Sequence, residues 1–262
     1  MLNFYTIFIY FIIFIFGAAI GSFICASVYR IKHKKSIVLG RSACVKCGYI
    51  LKFYDLIPLF SFIFLRRKCR KCKSKIAWEY FLIELATAFI FLFAFWFRGD
   101  ELFNKEIFNV ILLRDWIFLG SLVFLFVYDY KYQVLPDRVT IPASIIIFGI
   151  NFYLGYNPIN LLFSATVGGW WFGLQYLLSK GRWVGDGDIR MGILLGVALG
   201  FPNIILSLFL AYIIGAFFSI FLILKKKTDI KGQIAFGTFL SIGGFITLYW
   251  GDKIINWYLY LL

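Results

Sequence analysis

Residues 1–29 read MLNFYTIFIYFIIFIFGAAIGSFICASVY, without one charged side chain. A run of this length and apolarity crosses a bilayer as a helix. No basic residue precedes it, and Arg30, Lys32, Lys34 and Lys35 follow at once. That pattern predicts a retained helix rather than a cleaved signal peptide. It holds the basic end in the cytoplasm and sends the N-terminus outside.

The rest of the chain agrees. Of 262 residues, 62% are hydrophobic and 22% aromatic. Soluble domains sit near roughly 45–50% apolar, so lipid must solvate the excess. Apolar runs and charge breaks predict eight spans, near 4–27, 79–97, 112–128, 139–156, 159–179, 189–202, 203–224 and 234–251. The third is short, which predicts a tilt or an earlier start. The apolar stretch Ile254–Leu262 leaves the end of the last span open. The expected fold class is an all-α polytopic membrane protein with a small cytoplasmic zinc-ribbon-like insertion. It divides into a first helix (1–29), a cytoplasmic cysteine region (30–78) and a transmembrane core (79–262).

Net charge is +14, and fourteen Lys or Arg fall between Arg30 and Lys75 against one acid, Asp55. Such a block reads as nucleic-acid binding or as positive-inside bias with contact to anionic lipid. Its place between two spans selects the second, so lipid is an expected partner and nucleic acid is not. Orientation follows loop by loop. Segment 98–111, with Arg98, Asp100, Glu101, Lys105 and Glu106, falls outside. Segments 28–78, 129–138 and 180–190 fall inside, as do Lys225, Lys226 and Lys227. Both termini are expected outside the inner membrane, and Trp78, Trp96, Trp116, Trp183 and Trp250 sit near span ends, where indoles favour the interface.

Cys44-Val-Lys-Cys47 and Cys69-Arg-Lys-Cys72 are two knuckles separated by 21 residues. Four thiolates at that spacing suit one tetrahedral Zn²⁺. Gly48 permits the turn after the first knuckle. A region this small has little core of its own, so a metal would supply folding energy. Arg41, Lys46, Arg70, Lys71 and Lys73 favour the thiolates. Disulfides and unpaired thiols are the other readings, and a reducing cytoplasm disfavours disulfides. Cys25, inside the first span, reads as a packed small residue. His33 is the only histidine, so no histidine-based triad can be built.

Acids are scarce, and those at span ends are functional candidates. Asp129 ends the third span, in Val127-Tyr-Asp-Tyr-Lys131, and Leu135-Pro136-Asp137 follows, with Asp137 placed to cap the fourth. Asp188 opens the sixth in Gly185-Asp186-Gly187-Asp188, whose glycines allow close backbone approach and positive φ. The topology sets Asp129 and Asp188 at one depth on the cytoplasmic face. Two carboxylates together in a low-dielectric site do not both ionise. The charged one activates water while the protonated one polarises a carbonyl, which amounts to peptide hydrolysis. Each acid also reads as a cap or an ion-pair partner, for instance Asp129 with Lys131. Paired carboxylates serve ion and proton transporters as well, but spans four, seven and eight hold no ionisable residue near their midpoints. A non-catalytic zinc-bearing scaffold would not need two Asp at one depth. Glu84, within the second span, should be protonated or paired.

Taken in order, these residues resemble the bacterial type IV prepilin peptidases, bifunctional leader peptidase/N-methyltransferases with a GxGD motif. The resemblance runs through Gly21-Ser22-Phe23, Tyr29-Arg30, Arg41-Ser42-x-Cys44-x-x-Cys47 and Asp55-x-Ile57-Pro58-Leu59-x-Ser61. It continues through Glu84-Leu85-x-Thr87-Ala88, Asp129 with Leu135-Pro136-Asp137, Gly185-x-Gly187-Asp188 and Phe236-Gly237. It implies cleavage of prepilins or pseudopilins after a short basic leader, with Asp129 and Asp188 as the catalytic pair. It also implies methylation of the new N-terminus from S-adenosylmethionine, with Glu84 as a candidate in that step. Cys25 stands where many members have Asn, Glu79 and Phe81 where Arg and Pro are common, and Thr238 where Pro is common. The aspartate pair shows no departure.

Overall fold

The computed structural model describes residues 4–37, 39–99, 105–225 and 235–261, with the backbone alone for 105–108. Asp100, Glu101, Lys226 and Lys227, and the side chains of Lys105 and Glu106, lie outside the described residues. The chain forms two compact units, Met1–Phe103 and Asn104–Leu262.

The first unit holds α1 (Phe4–Lys32), a 3₁₀ turn (Phe53–Asp55), a short α2 (Phe60–Phe64) and α3 (Trp78–Phe97). Gly17 and Gly21, one helical turn apart, let α1 and α3 meet backbone to backbone. A Cβ at Gly17 would lie 2.8 Å from Ala88 Cα, and one at Gly21 would lie 2.7 Å from Glu84 Cα. Small residues at such a crossing are how helices pack where lipid removes the hydrophobic drive. Edge-to-face pairs flank the seam, Tyr10 with Phe95 and Phe14 with Phe89. Glu84 is buried in this seam, and its carboxylate accepts the Leu59 N–H at 2.8 Å. It is thus paired, and it anchors the start of α2.

The second unit holds α4 (Lys105–Tyr132), α5 (Asp137–Tyr153), α6 (Pro158–Ser179), α7 (Asp186–Leu199), α8 (Asn203–Leu224) and α9 (Phe236–Leu261). Each long helix answers to one expected span. The third starts at Lys105 rather than near 112, and the last runs through the apolar tail to Leu261.

Among the described residues, four helices are long and apolar enough to cross a membrane: Phe4–Lys32, Trp78–Phe97, Asn109–Tyr132 within α4, and Asn203–Leu224. The others are shorter or less apolar. The 14 residues of α7 reach about 21 Å, less than a hydrocarbon core of about 30 Å. Nine of them are buried, so α7 is a core helix wrapped by its neighbours. Gly168 of α6 and Gly192 of α7 face each other so closely that a Cβ on either would strike the other's carbonyl. Met191, Leu194 and Leu195 of α7 are fully buried, as are Leu119 and Leu125 of α4, Ile147 of α5, Phe172 of α6 and Leu240 of α9.

Candidate active site and metal centre

Asp129 lies in the last turn of α4. The helix stops because Gln133 turns to φ +52°, and its N–H closes on the Asp129 carbonyl at 2.8 Å. Pro136, extended at φ −81° and ψ 126°, is the N-cap of α5. Asp137 is therefore the first helical residue and not the cap that its position in the sequence suggests. Its carboxylate meets Arg190 at 2.6 Å.

Leu135, buried in this connection, is the wedge of the site. A Cβ on Gly187 would lie 2.8 Å from Leu135 Cβ, and one on Gly237 would lie 3.0 Å from Leu135 Cδ2. Glycine at these two positions draws the first turns of α7 and α9 onto the same leucine. The second glycine of the Gly185–Asp188 motif thus serves close approach, as expected. Gly185 sits at φ −77°, so the positive-φ freedom read from the sequence is not used there.

Both aspartates are buried, and each faces the N-terminus of a helix, α9 for Asp129 and its own α7 for Asp188, where unpaired N–H groups favour a carboxylate. Asp188 is in the first turn of α7 and accepts the Gly185 N–H at 3.1 Å. Asp129 takes its donors from α9. The Thr238 N–H reaches Oδ2 at 3.2 Å, and the Gly237 N–H also points at the carboxylate. Gly237, against Asp129, and Gly187, next to Asp188 in the chain, pack on the same Leu135. The unit thus brings together the two acids that sequence topology placed at one depth. Asp186 is turned outward, 3.1 Å from Arg190, so one guanidinium spans Asp137 and Asp186 beside the pair. Two carboxyls in one site, one ionised and one protonated, are the groups that activate water and polarise a carbonyl.

In the first unit the four cysteines converge. The sulfurs of Cys44, Cys47, Cys69 and Cys72 all lie within 4.8 Å of one another. Metal–sulfur bonds of about 2.3 Å in a tetrahedron put neighbouring sulfurs roughly 3.8 Å apart. Cys44 and Cys72 lie at 3.8 Å, so the thiols fit a single tetrahedral ion.

Two matching turns set them. In one, the Cys44 N–H bonds Tyr49 O at 2.9 Å and the Gly48 N–H bonds Cys44 O at 2.9 Å. In the other, the Cys69 N–H bonds Ser74 O at 2.9 Å and the Lys73 N–H bonds Cys69 O at 3.0 Å. Gly48 takes φ +70°, as expected, and Lys73 takes φ +57° at the equivalent place without being glycine. The Ser74 hydroxyl lies 3.0 Å from Cys72 Sγ, and this hydrogen bond draws the thiol down to about 6. Asp55 fixes the intervening loop to the second knuckle through Arg70 at 2.9 Å, and Arg70 also lies over the Tyr54 ring. Cys25 is buried in α1, apart from this cluster, as a packed residue.

One buried group escaped the sequence reading. Arg114 and Asp115 form an ion pair at 2.6 Å with side-chain exposures of 5% and 0%. Arg114 also donates to Asn151 Oδ1 at 3.2 Å and Tyr156 OH at 3.3 Å, and the Asn151 amide donates to Val197 O at 2.8 Å. The network ties α4 to α5 and α5 to the end of α7, about 21 Å along α4 from Asp129. Two adjacent charges in the apolar stretch 112–128 were the available signal.

The chain is similar to known proteins over most of its length. Residues 15–98 match the Bacterial Peptidase A24 N-terminal domain, and residues 116–220 match the Type IV leader peptidase family. A prepilin leader peptidase/N-methyltransferase of Pseudomonas aeruginosa is 31% identical over 86% of this chain and 76% of its own length. Proteins of the same name from Legionella pneumophila and Bacillus subtilis are each 29% identical, over 97% and 95% of this chain and 96% and 97% of their own. No solved structure matches.

Proposed function

The chain belongs to the type IV leader peptidase family, and we propose that it cuts the leader from prepilins or pseudopilins with Asp129 and Asp188. The observation that carries this reading is the pair of buried carboxylates, one from α4 and one from α7, at helix N-termini drawn together around Leu135. The ionised aspartate takes a proton from water as the water oxygen adds to the scissile carbonyl carbon. The protonated aspartate hydrogen-bonds the carbonyl oxygen and stabilises the charge that develops there. On collapse the C–N bond breaks, and the leaving nitrogen takes a proton from the pair. Neither a metal nor a covalent intermediate has a part in this sequence.

The substrate is a helix with a basic leader and an apolar body. Positive-inside bias supports an inner-membrane enzyme with 30–78 in the cytoplasm and both termini outside. In that orientation the scissile bond waits at the depth of the two aspartates. A structural Zn²⁺ on Cys44, Cys47, Cys69 and Cys72 would hold the two knuckles together, since Zn²⁺ takes thiolate ligands in this geometry. The names of the relatives support a second activity, N-methylation of the new N-terminus with S-adenosylmethionine as donor. Glu84 already receives the Leu59 N–H, which favours a packing role for it over one in methyl transfer.

Purified protein incubated with a prepilin in detergent tests the reading. Loss of the leader by mass, insensitive to inhibitors of serine, cysteine and metalloproteases, is expected. An intact prepilin after prolonged incubation with folded, metal-replete protein would refute it.

A further inference from the structure

A groove of about 230 Å³ opens between α6 and α8, lined by Trp171, Leu174, Gln175, Leu178 and Tyr212. The four α6 residues recur at helical spacing and share one face. The polar groups here satisfy one another. Trp171 Nε1–H donates to Tyr212 OH at 3.1 Å, Tyr212 OH donates to Gln175 Oε1 at 3.0 Å, and the Gln175 amide donates to Trp171 O at 3.2 Å. An apolar occupant therefore leaves these three hydrogen bonds in place. A charged or polar one would have to break this chain of bonds.

The groove lies next to the candidate site, with one aromatic side chain between them. The Tyr212 ring lies 5.0 Å from that of Phe236, which lies 5.9 Å from Phe172. Phe236 opens α9, and the next two residues, Gly237 and Thr238, donate their N–H groups to Asp129. One aromatic side chain thus stands between the end of the groove and the donors of Asp129. The groove also lies in the C-terminal half of α6, and the connection after Ser179 leads directly to Asp188.

We propose that this groove seats the apolar helical body of the substrate, so that the peptide bond preceding that body is delivered past Phe236 to the aspartate pair. The proposal rests on the peptidase reading above. Apolar side chains of a helix, spaced three and four residues apart, dock in a groove of this kind. Lipid solvates those side chains too, so the selectivity comes from packing against the Trp171 and Tyr212 rings rather than from a hydrophobic drive.

The test compares two substrates in the full-length protein. One is an intact prepilin. The other is a soluble peptide with the leader and scissile bond but no apolar body. Trp171→Ala and Leu178→Ala should raise KM for the prepilin by on the order of tenfold with kcat unchanged. Both should leave the soluble peptide unaffected. Leu177→Ala, also exposed on α6 but outside the groove, should change neither. An equal effect on both substrates, or none on either, overturns the proposal. A photocrosslinker in place of Leu174 gives a readout apart from turnover. Adducts with the apolar body support the groove, and adducts with lipid alone sink it. If the wild type cuts neither substrate, the peptidase reading fails and the groove proposal falls with it.

Discussion

Gly237→Ala places the smallest side chain against the candidate site. Its methyl would lie 2.9 Å from Asp129 Oδ2, 3.2 Å from Asp129 Cγ and 3.0 Å from Leu135 Cδ2. Favourable contacts between non-bonded carbons lie at about 3.5–4.0 Å, so the carboxylate or the leucine must shift by several tenths of an ångström. Overpacking of this size costs about 1–3 kcal/mol. Leu135 is wedged against Gly187, so the yielding group is Asp129, whose two N–H donors leave with α9 if α9 moves instead. Either shift misaligns the water that Asp129 must hold. At roughly 1.4 kcal/mol per tenfold in rate, kcat should fall about 10- to 100-fold with KM little changed. Single-turnover cleavage of a prepilin in detergent measures the rate. Melting followed by tryptophan fluorescence separates a misaligned site from a failed fold. A variant that melts like wild type and cuts at the wild-type rate would refute the placement of α9 against Asp129.

Thr238→Ala keeps the backbone N–H that reaches Asp129 and should cut normally, whereas Thr238→Pro deletes that donor. A hydrogen bond to a charged group contributes about 1.5–3 kcal/mol, so the proline variant should be at least roughly tenfold slower than the alanine variant, and equal rates would discard the bond. Arg114→Met removes the guanidinium from a fully buried Asp115 and should cost about 3–5 kcal/mol of stability, seen as a lower melting temperature. Arg114→Met with Asp115→Leu should recover most of it, and a double variant as unstable as the single would contradict this. Cys72→Ser should lower bound zinc from about one ion per chain while the aspartate unit keeps its helices by circular dichroism. Undiminished zinc would exclude Cys72 as a ligand.

The sequence made the helices legible because lipid demands long apolar runs, and most charge falls at their ends. It made the cysteine turns legible because ligand spacing is local. Thr238 shows what spacing alone does not reveal. As a residue type it reads as a departure where proline is common, yet it presents a backbone N–H to Asp129 that proline lacks. That pairing joins residues 109 positions apart, and no periodicity carries such information. The place of Asp137 depends on a long-range partner in the same way. An acid at a helix start reads as a cap until a long-range partner, here Arg190, competes for it. The short α7 could not be told from a spanning helix, because a core helix surrounded by helices is as apolar as one in lipid. Arg114 and Asp115 were visible as charges in an apolar stretch, but their closure on Asn151 and Tyr156 depends on the fold of α5.

The most direct measurement is leader cleavage by Asp129→Asn and Asp188→Asn, with abundance and metal content followed in parallel. Asparagine matches aspartate in size and can still accept the N–H bonds from α9 and Gly185, but it cannot take a proton from water or share one with its partner. Each single variant should lose all detectable cleavage while remaining folded and metal-replete. Asp137→Asn and Asp186→Asn, which touch Arg190 outside the pair, should keep measurable activity. Cleavage near the wild-type rate by either Asp129→Asn or Asp188→Asn would contradict the paired-carboxylate mechanism.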